Sequence, residues 1–205
     1  MAKDMRKLVR AGYNYGQYDI TYARNNETPE NFEKVLCDEL ISRIKPDSKI
    51  LDLGCGVGLP YDKYFSKNNF SVTGVDISEK HIEQAKNNVK SAKYLVGDFF
   101  SKDIKGKFDA IVSFYAIFHI PRTEHKKLLS HIHSLLKKDG MILITLGIDS
   151  MKCDVNDNFA GAPMAWSSYS VEKNKKLVLD SGFEILVAAE DYRTERHLWI
   201  LAKKK

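Results

Sequence analysis

The chain lacks most of the marks of a secreted, membrane-bound or nucleic-acid-binding protein. Cysteine occurs only as Cys37, Cys55 and Cys153, an odd number with no Cys-x-x-Cys pair. That pattern argues against a disulfide framework and against a zinc site, and it suits a reducing, cytoplasmic compartment. Long apolar runs are absent. The longest, Ile111–Ile120, is broken by Ser113 and His119 and is too short to span a bilayer, so no membrane partner is expected. The opening MAKDMRKLVRAG has no apolar core of a secretory signal. Charge of one sign is weak. The net charge is +5, and the lysines are scattered apart from the terminal Lys203–Lys205. Without a concentrated basic stripe, nucleic acid is not the expected partner. The six histidines have no thiolate or carboxylate set beside them, and no metal is expected. No internal repeat or low-complexity linker divides the 205 residues, which predict a single domain.

What is present is a rhythm. Short, near-continuously apolar runs, as in strands covered on both faces, predict strands over Lys49–Gly54, Ser71–Asp76, Lys93–Asp98, Asp109–Phe114 and Met141–Leu146. Helical spacing fills the gaps. Asn31–Ile44 reads as the first core helix. Ser78 opens a second with Ile82, Ala85 and Val89 on one face. Thr123 opens a third with Leu128, Leu129, Ile132, Leu135 and Leu136, stopped by Asp139–Gly140. A fourth runs from Ser170 to Gly182. Alternation of this kind predicts an α/β fold, with a parallel sheet between two helical layers. Phe183–Ala189 and His197–Ala202 leave no room for a crossover helix, so they predict an antiparallel hairpin at the sheet's end. Gly147–Tyr169 reads as a long loop on the ligand side, with Met164, Trp166 and Tyr169 suited to an apolar acceptor pocket or, alternatively, to covering the edge of the core.

The glycine-rich turn LDLGCGVGLP follows the first strand. Gly54, Gly56 and Gly58 let a ligand approach the backbone, but Leu59 stands where a dinucleotide fingerprint needs a glycine. Asp52 beside the turn would repel a pyrophosphate and attract a cation. Asp76, ending the second strand, sits where an acid accepts from ribose hydroxyls, which indicates adenosine without choosing among its carriers. Asp98 ends the third strand, and Phe99 follows with an N–H and a flat face.

LDLGCGVG, GVDIS, GDFF and FDAIVSFYAIFHI, in this order, resemble motifs I to IV of class I S-adenosylmethionine-dependent methyltransferases. The resemblance implies a Rossmann-like three-layer sandwich with a seven-stranded, mostly parallel sheet in the order 3-2-1-4-5-7-6, strand 7 antiparallel. It implies S-adenosylmethionine as cofactor. Gly54, Cys55 and Gly56 would pass beneath its methionine part, and Phe114 would face that end. Asp76 would take the ribose, Ile77 would pack on adenine, and Asp98 and Phe99 would hold the adenine edge. An N-terminal lid over residues 1–30 is expected, with Tyr15, Tyr18 and Tyr22 on one helical face; Tyr18 is the residue expected against the cofactor. His119 is the candidate general base, with an ordering role in its loop as the plainer alternative. Ser113-Phe114-Tyr115-Ala116 lacks the Asp/Asn-Pro-Pro-aromatic signature of amino-methylating DNA enzymes. A small-molecule acceptor is therefore expected; a protein or tRNA acceptor, a non-catalytic cofactor-binding module and an NAD(P)-dependent oxidoreductase are the alternatives.

Overall fold

The structure, a computed structural model, describes residues 2–16, 28–192 and 196–205. Seven strands form one sheet: β1 (Lys49–Leu53), β2 (Ser71–Asp76), β3 (Lys93–Val96), β4 (Phe108–Ser113), β5 (Leu136–Leu146), β8 (Phe183–Asp191) and β9 (His197–Lys204). Their order is β3-β2-β1-β4-β5-β9-β8, the order the resemblance implies. β1 pairs in parallel with β2 and β4, and β4 with β5; β9 runs antiparallel to both β5 and β8.

Alternation along the strands builds two cores. Leu51, Ile111, Ile142 and Ile200 face one layer, packed with Leu128 and Ile132 of α5 (His125–Leu135) and Val178 of α6 (Val171–Asp180). Their neighbours Ile50, Val112, Leu143 and Trp199 face the other layer. There they meet Leu36 and Leu40 of α2 (Asn31–Ser42) and Phe65 of α3 (Tyr61–Lys67). Every residue of the two strand sets is wholly buried. This is why the strands read as unbroken apolar runs: a strand covered on both faces has no polar side to show.

α4 (Glu79–Asn88) begins at Ser78, whose hydroxyl accepts from the His81 N–H at 3.1 Å, the expected cap. α5 is shorter than its periodicity predicts. A 3-10 turn takes Arg122–Glu124, and the helix ends at Leu135 because Leu136 already pairs with Phe108 at the start of β5. Lys204 seals that end by donating to the carbonyls of His133 and Leu136.

Two further segments depart from expectation. Residues 147–169 are not an irregular loop. They hold a second sheet, an antiparallel hairpin of β6 (Met151–Phe159) and β7 (Ala162–Ser168). Ala160 and Gly161 make the turn, both at positive φ (51° and 86°), the conformation that suits a two-residue hairpin. β6 escapes a sequence reading because KCDVNDN is exposed along nearly its whole length; pairing with β7, not a core face, holds it extended. The N-terminus also differs. α1 (Ala2–Tyr15) is an amphipathic helix that lays Met5 and Val9 on Met164 and Ala165 of β7. The two surfaces lie so close at Gly12 that a Cβ there would stand 2.6 Å from the Pro163 carbonyl oxygen.

Candidate functional site

The site lies at the carboxyl ends of β1, β2 and β4, where open parallel sheets bind ligands. Gly54, Gly56 and Gly58 all have positive φ (85°, 53° and 74°), which explains the glycines. The Gly54 and Cys55 N–H groups both donate to the Val75 carbonyl, at 2.7 and 3.1 Å, tying the turn to β2. A Cβ at Gly54 would lie 2.4 Å from the Ala116 Cβ, and one at Gly58 would strike the Tyr94 hydroxyl at 2.6 Å. At Gly56 it would meet nothing within 4 Å. Gly54 and Gly58 are thus needed for packing, whereas Gly56 leaves open space above the turn. That space is a cavity of about 510 Å³.

Ten of the eleven residues expected to bind the cofactor or act as base are described, and all ten border this cavity: Asp52, Gly54, Cys55, Gly56, Asp76, Ile77, Asp98, Phe99, Phe114 and His119. Tyr18 lies outside the described residues, as does Tyr22. Tyr15 is corrected: it is 82% exposed and does not roof the site. Two residues beyond Tyr13, it falls on the far side of α1. The residues of α1 that do line the cavity are Arg6, Val9 and Tyr13.

Asp76 is held by the backbone. Its Oδ2 accepts from the Gly56 N–H and its Oδ1 from the Ser78 N–H, each at 2.9 Å. A carboxylate has further lone pairs, so a diol can still bind there. Asp98 closes β3 early: its Oδ1 accepts from the Phe100 N–H at 2.8 Å, and its Oδ2 lies 3.5 Å from Arg6 Nε. The Arg6 guanidinium also grips Glu124 with two hydrogen bonds, at 3.0 and 2.6 Å, fastening α1 over the cleft and holding the Glu124 carboxyl below its ordinary range. Phe114 stacks on Tyr61, ring centres 3.9 Å apart. Cys55 is buried, and burial pushes its thiol up, which fits a packing role rather than a nucleophile.

Asp52 needs a correction in its physics. It is 2% exposed and sits against Asp62, which is wholly buried. Burial first, and Asp62 second, push Asp52 far up; burial pushes Asp62 up to about 7. The pair retains a proton at neutral pH, so Asp52 is not the free carboxylate that the sequence reading used against pyrophosphate. Asp62 itself gave no signal. An acid after Pro60 reads as an ordinary first-turn helix residue, and only the fold buries it beneath the turn.

His119 ends a 3-10 turn, Ile117–His119, after β4. Its Nδ1 lies 2.9 Å from the Ala165 carbonyl of β7, and its Nε2 lies 2.8 Å from the Tyr13 hydroxyl of α1. Burial lowers it to about 4, so the ring is neutral. Tyr115 precedes this turn with a left-handed backbone (φ 55°), pinned by donation from its hydroxyl to Glu33 at 2.6 Å. Tyr115 and His119 also border a second cavity, of about 340 Å³, walled by the hairpin and β9 through Phe159, Trp166 and His197. Among the described residues no group of His, Cys, Asp and Glu is placed to hold a metal ion, and no helix is long and apolar enough to cross a membrane.

Sheet order and cleft together define a Rossmann-like α/β protein with a nucleoside-sized site on a glycine turn. Comparison with known proteins narrows the class. Residues 50–140 match the family model of the methyltransferase domain. An uncharacterized methyltransferase of Alkaliphilus oremlandii is 28% identical over 134 residues, covering 62% of this chain and 61% of that protein, which is less than two thirds of its length. Among solved structures, magnesium protoporphyrin IX methyltransferase from Synechocystis PCC 6803, with bound S-adenosylmethionine, superposes with a TM-score of 0.76. It is 18% identical, with 98% of each chain covered. The 1,6-didemethyltoxoflavin-N1-methyltransferase of Burkholderia thailandensis, with its acceptor and S-adenosylhomocysteine bound, also has a TM-score of 0.76. It is 17% identical and covers 100% of this chain and 91% of that one. Residues 50–140 therefore match a methyltransferase domain, and the whole chain shares the fold of structures solved with S-adenosylmethionine or S-adenosylhomocysteine bound.

Proposed function

We propose that this protein transfers the methyl group of S-adenosylmethionine to a small-molecule acceptor in the cytoplasm. The observation that carries the reading is the open cradle at Gly56, flanked by Asp76 and Asp98, at the head of a cavity of about 510 Å³. The residues present fit the cofactor. Gly54–Gly56 offer backbone beneath its amino-acid arm, Asp76 and Ile77 stand where ribose and adenine would lie, and Asp98 and Phe99 border the adenine end. When bound, S-adenosylmethionine supplies an electrophilic methyl carbon on a sulfonium. The protein's own part is to align an acceptor with that carbon and to keep water out; alignment alone can supply roughly 7–11 kcal/mol of a barrier. α1 borders the site through Arg6, Val9 and Tyr13, and the β6–β7 hairpin supports α1.

A small acceptor is favoured by the second cavity, which adjoins the first at Tyr115 and His119 and is bounded by the hairpin. The toxoflavin neighbour, which holds a small heterocycle, supports the same reading. An oxidoreductase is disfavoured by Leu59–Pro60 at the place of the third fingerprint glycine.

Titration calorimetry of the purified chain tests the cofactor. S-adenosylhomocysteine is expected to bind at micromolar levels and NAD not at all; the reverse overturns the proposal. Transfer of labelled methyl to a metabolite extract, resolved into small-molecule, protein and RNA fractions, tests the acceptor. Label confined to protein or RNA would replace the small molecule, and no label in any fraction would leave a binding module.

A further inference from the structure

His119 is shared by both cavities, and both of its nitrogens are committed. A backbone carbonyl can only accept, so Nδ1 carries the proton and donates it to Ala165. Nε2 is left with the lone pair, and the Tyr13 hydroxyl donates to it at 2.8 Å. The phenolic oxygen keeps acceptor capacity of its own, and Tyr13 lines the cofactor cavity. A base for an acceptor in this cleft is therefore the Tyr13 oxygen, with His119 behind it. The groups that face this pair are Asp76 of β2, His81 of α4, whose ring centre is 5.0 Å from that of Tyr13, and His197 of β9.

The second cavity adjoins the first at His119, the residue that the Tyr13 hydroxyl bonds. Phe118 lies nearly parallel to His197 at 5.3 Å, and Phe159 meets Trp166 edge-on at 4.9 Å. Tyr115 completes the aromatic wall, while Asp149 and Arg196 of the lining are exposed. An ion drawn against such rings loses hydration without a buried countercharge, whereas a flat neutral ring gains apolar contact. A volume of about 340 Å³ is near the lower end for ligand pockets and suits one or two fused rings.

We infer that the second cavity admits a flat, uncharged ring compound with a protic oxygen or nitrogen, and that Tyr13 and His119 relay its proton. The inference rests on the methyl-transfer reading above. The heteroatom's lone pair forms the bond to the methyl carbon, and the carbon–sulfur bond breaks with its electron pair left on sulfur. The heteroatom's proton passes to Tyr13 Oη as the tyrosine's own proton moves to His119 Nε2. The products are the methylated ring, S-adenosylhomocysteine and a His119 imidazolium that then yields its proton to solvent. One positive charge leaves sulfur as one appears on imidazole, so the buried site has the same net charge before and after. Tyr13 is the catalytic residue in this scheme, and His119 acts through it.

Full-length protein saturated with S-adenosylhomocysteine is titrated with 4-nitrophenol, followed by quenching of Trp166 fluorescence. Binding is expected at least tenfold tighter at pH 6, where the probe is mostly neutral, than at pH 9, where it is ionised. Uncharged 4-nitroanisole should bind equally at both, and Trp166→Phe should reduce the quench to the share of Trp199, which lies behind Tyr115. With labelled S-adenosylmethionine, rates on 4-nitrophenol at pH 6 are then compared with rates on quinoline, an uncharged ring whose nitrogen has no proton to lose. Tyr13→Phe and His119→Asn should each lower the phenol rate at least tenfold more than the quinoline rate, a ratio that loss of folded protein does not change. Equal binding of the anion, a quench undiminished by Trp166→Phe, turnover of neither probe, or equal losses on both probes would overturn the inference. Calorimetry on the same samples separates the two levels. Failure to bind S-adenosylhomocysteine removes the methyl-transfer reading, whereas binding together with any of those results removes this inference alone.

Discussion

The floor and the roof of the cleft are built in different ways. The floor, the glycine turn with β1, β2 and β4, stands on two large cores whose strand residues Leu51, Ile111 and Val112 have no exposed surface. The roof, α1 with β7 and the turn at His119, rests on a four-residue cluster of Met5, Val9, Met164 and Ala165, supplemented by polar ties from Arg6, Tyr13 and Asn14. Burial acts on the titratable groups of the two regions with opposite consequences. In the floor it pushes the acids Asp52 and Asp62 up, so protonation on acidification costs the fold nothing there. In the roof it pushes His119 down, so protonation opposes closure. On this contrast the floor is expected to open only with the whole fold, and the roof at lower cost.

The contrast can be broken most forcefully from the floor. Ile111→Ala removes buried volume from the larger core and is expected to lower global stability by about 2–5 kcal/mol in denaturant unfolding. A loss confined to exchange at α1, with no change in the global midpoint, would contradict the division. Acidification sharpens it next. The open roof takes up a proton at His119 near the ordinary value of 6.5, while the closed roof resists until about 4. Closure is therefore weakened as pH falls from about 6.5 to about 4, by roughly 3 kcal/mol at full effect. Hydrogen exchange should rise in α1 and β7 over that window while β1 and β4 stay protected.

Gly56→Val places a side chain in the open cradle and is expected to weaken S-adenosylhomocysteine binding at least ~100-fold, about 2.7 kcal/mol. Calorimetry measures the binding, and circular dichroism should still show a folded chain. The smallest effect belongs to Val9→Ala. Loss of two methyl groups from the roof cluster should raise exchange in α1 by about 1–2 kcal/mol and leave the denaturant midpoint of the sheet nearly unchanged. A matching fall in global stability would make floor and roof one cooperative unit.

Most of the floor was legible before any coordinates. KILDL, SVTGVD and MILITL announce themselves because both faces are covered, and Gly54, Gly56 and Gly58 because the backbone there is left-handed. The sheet order came through the motif resemblance and agrees with the pairing observed. The roof was hardly legible. β6 is polar on both sides and held by its partner strand, so neither a period of two nor an apolar run marks it. Tyr15, Tyr18 and Tyr22 form a tidy helical spacing, yet the residue that reaches His119 is Tyr13, set by how α1 rests on β7. Asp52 was found for its place beside the turn, but its charge depends on Asp62, ten positions along the chain and buried by α3.

By itself the sequence determined the α/β alternation, the glycine turn, the acids at the strand ends and the antiparallel finish, because each is a local consequence of backbone conformation or of burial on two faces. Only the tertiary structure decided that Tyr13 meets His119, that Asp52 shares its surroundings with Asp62, and that α1 borders the cleft while resting on the hairpin. Those facts depend on residues distant in the chain meeting in a space with little water. There, proximity and desolvation, not residue type, set which atom donates, which accepts and which keeps its proton.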